Sequence, residues 1–424
     1  MIPHDKLFSF TPAEDAQYTL QITLQQSRLL GAPDALDLYS CHSQPHVLEV
    51  MEQCGMLLDA FLPWLQEKLP GVSPAWMRDH LLLSAKLHDV GMCGTPALRA
   101  LLTATDSLHT LLCTPGQESP AMLRPYLRVL EAEGPRAALN TPAWQQALTL
   151  AGTGDEGRCA AALAEYHEQI KQAIRKQHAA NSGRYILAHA DELSAHYGPA
   201  IDMTAVAVLA ALHSSSSLDK ASIVPAGKHY DAIREHIRRM VTQERSAAEA
   251  ERITADDTFR RLIHLAALLR LCDTRRSGSR LTNMDQSRLV CEVTGGQARL
   301  YKEKSGLREA VPLRTSYEIL VSEALTEFGP VTAHPNADGT WHIRHEMTLR
   351  HAELPDMLDV FARSRLRTYA NEIDTGALEY SLGFTHEIFL HLEGIGPMAA
   401  GRVAREWRSR IDWLRESPLL ITTI

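Results

Sequence analysis

Over most of the first 280 positions apolar residues recur every three or four residues, the period of a helix with one buried face. "HVLEVMEQCGMLLDAFLPWLQEKL" carries Val47, Val50, Met51, Cys54, Leu57 and Leu58 along one stripe. "AWMRDHLLLSAKLH" reads as a second helix, with Gly91 behind it as a permissive stop. The turn clusters "CTPGQESP", "EGPRAALNTP" and "AGTGDEG" break residues 103–165 into short pieces. Helical spacing resumes at "AAALAEYHEQIKQAIRKQHAANSGRYILAHADELSAHY", and "MTAVAVLAALH" and "DTFRRLIHLAALLRLCD" add two apolar helices. The period then shortens to two. "RLVCEVTGGQARLYKE" predicts a hairpin around Gly295-Gly296, and "GPVTAHPNADGTWHIRHEMTLR" another around Asp338-Gly339. "YEILVSEAL" between them fits a strand or a helix, and from "ELPDMLDVFARSRLRTYANEI" the chain reads as helical to its end. The expectation is a mainly α fold: a helical bundle with a helical insertion, a small β-containing α+β region and a helical C-terminus. Residues 1–102 and 166–285 form the expected core, 103–165 the insertion, 286–350 a β-rich accessory segment and 351–424 the C-terminal helical region.

Composition narrows the function classes. A chain of 424 residues, 45% of them hydrophobic, supports roughly two to three domains. A net charge of −8 and a pI near 6.2 argue against a general electrostatic grip on nucleic acid or anionic membrane. The seven cysteines are scattered and form no C-x-x-C pair, which excludes a zinc ribbon and a disulfide framework. "MIPHDKLFSF" lacks a signal-peptide pattern and no stretch is apolar for 18 residues, so a cytoplasmic protein without a membrane span is expected.

Several apolar helices close on ionisable residues: His46, the doublet His88-Asp89, His178, His213 and Asp273. Burying these groups separately would cost of order 1–3 kcal/mol each. A shared divalent cation removes that cost, since imidazole and carboxylate are its common ligands. Adjacent helical residues point about 100° apart, so His88 and Asp89 address one site from neighbouring directions.

On "HSQPHVLEVM", "LLSAKLHDVGM" and "LAALLRLCDTRRSG" the chain resembles the HD superfamily of metal-dependent phosphohydrolases, over roughly residues 30 to 285. The nearest likeness is the bimetallic branch associated with bacterial conflict and defence proteins, where "HD-x-G-M" replaces "HD-x-G-K". The resemblance implies an enzyme that hydrolyses a nucleotide-type phosphoester with metal-activated water. It implies one ion held by His46, His88, Asp89 and Asp273, with Asp89 bridging to a second held by His178 ("IRKQHAANSGRYI") and His213 ("VLAALHSSSS"). Manganese, iron, cobalt, nickel, zinc and magnesium all stay open. His88 and Asp89 would be essential, with Arg175 or Arg270 neutralising phosphate from the same helix faces as the ligands. Met92 stands where many relatives carry a phosphate-binding lysine, leaving Lys86, Arg175 or Arg270 as substitutes. The glycine-flanked double histidine of cyclic-di-GMP phosphodiesterases is absent, because Ser214 follows His213. The histidine-rich continuation of dNTP triphosphohydrolases and the "HD…ED" run of guanosine-tetraphosphate hydrolases are absent too. A metal pocket that senses nucleotides without turnover is the alternative reading.

The remaining motifs read more plainly. "LHLEGIGPMAAGRVAREW", residues 390–407, resembles the hairpin of a helix-hairpin-helix motif, with Arg402, Arg405 and Arg408 near a candidate DNA phosphate; a packing corner explains it as well. A DNA-directed nuclease is therefore a third reading. His42 is a candidate neighbour of His46, His264 is read as structural, and Arg275-Arg276 and "REHIRRM" as solvated charge. His342 and His345 fall on opposite faces of one strand. The 286–350 segment is read as a lid, a partner surface or a homo-oligomer contact.

Overall fold

The computed structural model describes residues 2–25, 44–93, 142–214 apart from 152 and 154, 228–275, 288–310 apart from 305, 317–338, 341–369, 384–410 and 419–423, with isolated positions between 104 and 128. The fold is mainly α, as its periodicity predicts. The chain divides into two compact units, one of Met1–Phe10, Cys41–His88 and Ser182–Ile424, the other of Thr11–Ser40 and Asp89–Asn181.

In the first unit α1 (His4–Phe8), α3 (Gln44–Lys68) and α4 (Pro74–Leu87) are followed by the end of α6 (Glu156–Ala188), then α7 (Ala190–Tyr197), α8 (Met203–Leu212), α9 (Lys228–Glu244), α10 (Ala247–Ile253) and α11 (Asp256–Thr274). α4 packs on α3 and α8, α8 on α11, and α11 on α3. Local chemistry sets the starts of the two central helices. Ser73 accepts a bond from Trp76 N–H ahead of Pro74, and Asp202 accepts from Thr204 and Ala205 N–H. All ten residues of α8 are buried, as is α4 from Asp79 to Leu87, so these helices form the interior of the bundle.

A burial at Lys86 corrects one expectation. Its ammonium is enclosed by the carbonyls of Lys6 and Ser9 and by Tyr197 Oη at 2.6 Å, with the Phe10 ring 4.7 Å away. That amine holds the N-terminal segment on the bundle and is not presented to a phosphate.

Two sheets follow α11. In the first, β1 (Arg288–Thr294), β2 (Gln297–Lys304) and β3 (Leu307–Ala310) form an antiparallel meander. Gly295 and Gly296 both take positive φ, 62° and 73°, the turn whose twist matches a two-residue hairpin. The open segment resolves as helix α12 (Tyr317–Ala324). The second sheet runs in the order β4 (Thr326–Pro335), β5 (Trp341–Leu349), β6 (Phe384–Leu392), β7 (Leu419–Thr423). Its first pair is antiparallel and the other two are parallel. α13 (Met357–Phe361), prolonged through a π-turn at Ala362–Leu366, lies between β5 and β6, and α14 (Pro397–Arg410) between β6 and β7.

The C-terminus is thus not helical throughout. In "FTHEIFLHL" Ile388, Leu390 and Leu392 are buried and alternate with the less buried Glu387, Phe389 and His391, a period of two. The glycine-rich 393–396 turn consequently follows a strand, not a helix. Gly394 has φ 90°, and a Cβ there would collide with the carboxylate of Glu353, an exposed side chain that lies against this turn.

In the second unit α2 (Pro12–Gln25) opens with a capping box: Thr11 Oγ1 accepts from Glu14 N–H, and Glu14 Oε2 from Thr11 N–H. The 3₁₀ turn Val90–Cys93 packs on α2, with the Cys93 thiol 2.8 Å from Gln17 Oε1. α5 (Pro142–Leu150) and the first part of α6 share a core that includes Trp144, Ala147, Leu163, Tyr166 and Ile170. No helix among the described residues is long and apolar enough to cross a membrane.

Candidate metal centre

The polar residues at the ends of the apolar helices of the first unit meet at one place. His46 lies in the first turn of α3, His88 caps the C-terminus of α4, His213 that of α8, and Asp273 sits in the last turn of α11. His46 Nε2 is 3.2 Å from Asp273 Oδ1, and His88 Nε2 is 3.9 Å from the same oxygen. The His88 ring stands edge-on to both other imidazoles, with centroids 5.4 Å from His46 and 4.8 Å from His213. His46, His88 and Asp273 each offer one ligand atom, all within 4.8 Å of one another.

Two of these histidines have their tautomer fixed by the helix they end. His88 Nδ1 lies 2.6 Å from Ala85 O, and His213 Nδ1 lies 2.6 Å from Ala210 O. A carbonyl only accepts, so each Nδ1 carries the proton and each Nε2 keeps a lone pair. Such an outer bond, made by the last free carbonyls of a helix, is how proteins orient imidazole towards a metal. His46 and His88 are fully buried and His213 nearly so, while the Asp273 side chain is 22% exposed. The cluster therefore has a dry floor and one solvent-facing side, at the carboxylate.

Beneath it lie Cys54, eight residues after His46, and Cys272, next to Asp273. Burial and a hydrogen bond to Cys272 push the Cys54 thiol well above its ordinary pKa. The ligand atoms that come together within 4.8 Å are imidazole nitrogen and carboxylate oxygen. Two imidazole nitrogens with one carboxylate oxygen, the set of His46, His88 and Asp273, suit the later first-row divalent ions better than magnesium.

Asp89, joined to His88 by a peptide bond, opens a segment of the second unit, and its Oδ1 lies 3.6 Å from His178 Nε2 on α6. The His178 side chain is 19% exposed and that of Asp89 only 2%. Arg175 is one turn before His178 on the same helix, and its side chain lies outside the described residues, as does His42. Arg270 is buried on α11, one turn before Asp273.

Arg275 also departs from expectation. Read as solvated charge, it is 2% exposed and donates to Gln53 Oε1 at 3.2 Å, Tyr369 Oη at 2.7 Å and the Gly329 carbonyl at 2.6 Å. Its partners come from α3, β4 and the turn after α13, all distant in sequence, and its placement two residues after Asp273 was the only local hint. His345 is buried and His342 half-exposed beside Glu387, on opposite faces of β5. His264 is buried on α11, where desolvation and then the nearby Arg260 charge lower its pKa to about 4. It stays neutral.

Comparison of the chain with protein-family models, with curated proteins and with solved structures finds no match in any of the three.

Proposed function

We propose that the chain is an HD-type metal-dependent phosphohydrolase that hydrolyses a nucleotide-type phosphoester. The observation that carries this reading is the pair of outer bonds to Ala85 and Ala210, which direct the Nε2 lone pairs of His88 and His213 inward, in a cluster with His46 and Asp273. Imidazoles oriented in this way suit a cation better than they suit one another. In this reading His46, His88 and Asp273 hold a divalent ion with His213 beside them, and within the second unit Asp89 and His178 are a further pair of donors. Ions bound there would polarise a phosphoryl oxygen and lower the pKa of a ligated water towards neutrality. Arg270, one turn before Asp273 on the same helix, would contribute positive charge there.

Elemental analysis of the purified chain tests the first half of the proposal. A panel of nucleotides, cyclic nucleotides and single-stranded DNA with added Mn²⁺ tests the second. Bound transition metal, with turnover that disappears in Asp89→Ala, is the expected result; a chain that takes up no metal overturns the proposal.

One observation favours a second reading, a nucleotide-sensing module without turnover. Met92 replaces the phosphate lysine, and Lys86 cannot stand in for it because its amine is enclosed by main-chain carbonyls. Metal uptake with no hydrolysis across the panel, but with saturable nucleotide binding, would select it. The DNA-directed nuclease is less favoured, since the Glu353 carboxylate faces the Gly394 turn where a phosphate would have to sit.

A further inference from the structure

Asp273 occupies an exposed place for a ligand that has to be held still. It lies in the last turn of α11, where carbonyls lack helical partners and ends fray. What ends that helix is Arg275, whose N–H bonds to Leu271 O and Cys272 O at 3.2 and 3.0 Å. Its guanidinium then bonds three separate elements. Nε reaches Gln53 on α3, seven residues and two turns after His46. Nη1 reaches the Tyr369 hydroxyl, and Nη2 the Gly329 carbonyl. The planes of Phe328 and Tyr369 flank it at 5.3 and 5.9 Å.

The partners are themselves fixed. Gly329 lies in the register shift of β4 between Phe328 and Val331, where the strand leaves its regular ladder. A Cβ at Gly329 would come within 3.0 Å of Glu346 Cβ on β5, so the close approach of the two strands favours glycine there. Tyr369 follows the π-turn Ala362–Leu366, a device that re-aims the residues after it. Its oxygen accepts from the guanidinium, which only donates, and shares a second hydrogen bond with His345 Nδ1 at 2.9 Å. Burial raises the Tyr369 pKa, so the hydroxyl stays neutral.

We infer that Arg275 is a positioning residue of the metal centre, through which the C-terminal mixed sheet sets the distance between the ligand atoms of His46 and Asp273. This rests on the metal-binding half of the proposed function. One planar fork ties the helix of the first ligand, the end of the helix of the last, and the sheet into a single arrangement. The β-containing part of the chain thereby acquires a role at a site to which none of its described residues supplies a ligand.

The test is titration of the full chain with Mn²⁺, followed by calorimetry or the loss of the free-ion electron paramagnetic resonance signal. Tyr369→Phe keeps the ring and removes one hydroxyl, and Arg275→Lys keeps the charge and removes the fork. Each is expected to weaken Mn²⁺ binding roughly ten-fold, about 1.4 kcal/mol, with the helical circular dichroism unchanged. Leu392→Ala, a buried residue of β6 whose strand partners are Leu349 and Thr423, is the control for general loosening: it lowers the melting temperature and leaves the affinity alone. Wild-type affinity in Tyr369→Phe, or an equal loss in Leu392→Ala, overturns the inference. Absence of Mn²⁺ binding by the unmodified chain would instead remove the proposed function on which it stands.

Discussion

His46 Nε2 and Asp273 Oδ1 lie 3.2 Å apart, bringing the first turn of α3 against the last turn of α11. At this distance they bond to each other through a shared proton or replace that proton with a cation. Asp273→Asn discriminates between these roles, because the amide keeps the shape and the hydrogen bond but loses the charge that holds a divalent ion. On the proposed function, the expected result is a folded chain that purifies without metal, read by elemental analysis. Wild-type metal content in this variant would exclude Asp273 as a ligand.

Lys86→Met should be a stability variant and not a substrate variant. The ammonium serves the carbonyls of Lys6 and Ser9 and the Tyr197 hydroxyl in a buried place. Leaving such acceptors unsatisfied costs about 1–3 kcal/mol each. A loss of roughly 3 kcal/mol in urea denaturation is expected, and about 1 kcal/mol for Tyr197→Phe. Metal content should not change. A Lys86→Met chain as stable as the original but with weakened nucleotide binding would return the amine to the site.

Those two residues mark what local sequence can convey. Asp273 was legible because a carboxylate ending an apolar helix is costly without a partner, and the doublet at His88 and Asp89 for the same reason. Lys86 and Arg275 were misread because every group that satisfies them is remote in sequence, and a charged side chain carries no periodic mark of its burial. The helices of the bundle followed from spacing alone, as did the Gly295-Gly296 hairpin. β6 was missed because the helical spacing of the preceding segment was extended over "FTHEIFLHL", whose alternation is sound but short. Arg275 ties the sheet to the bundle through single contacts from several elements, and no window of sequence contains them together.

Two buried histidines away from the cluster make stability sensitive to acid. His80 donates from Nδ1 to Trp76 O and accepts at Nε2 from Asp202 N–H, so both nitrogens are used by the neutral ring. Burial lowers its pKa, and burial with the Arg260 charge lowers that of His264 to about 4. Below the unfolded value near 6.5 the unfolded chain binds protons that the folded chain refuses, so stability falls as pH drops from about 6.5 towards 4. At about 1.4 kcal/mol per pKa unit, His264 accounts for roughly 3 kcal/mol of that loss. Chemical denaturation at a series of pH values should show the slope, and His264→Leu should flatten it. A slope unchanged in that variant would mean that other groups carry the acid sensitivity.

The approach of α6 to α8 sets the place of His213, since that residue caps α8. Gly183 sits on α6 where a Cβ would lie 2.9 Å from Ala207 O and 2.9 Å from Ala211 Cβ, with the Met240 methyl at 3.1 Å. The methionine end can move, but the carbonyl of a buried helix cannot, so an added methyl has to displace α8 itself. Overpacking of this kind costs about 1–3 kcal/mol, against a gain of about 0.5–1 kcal/mol from replacing a helical glycine by alanine. Gly183→Ala should therefore come out net destabilising, and it should weaken metal binding because the His213 imidazole travels with the end of its helix. Gly55 provides the contrast. It lies within α3, and a Cβ there meets nothing within 4 Å, so Gly55→Ala should raise the melting temperature and leave metal binding alone. If Gly183→Ala were as stabilising as Gly55→Ala, the helices would have slack at their contact. The position of His213 would then have to be fixed by its bond to Ala210 alone.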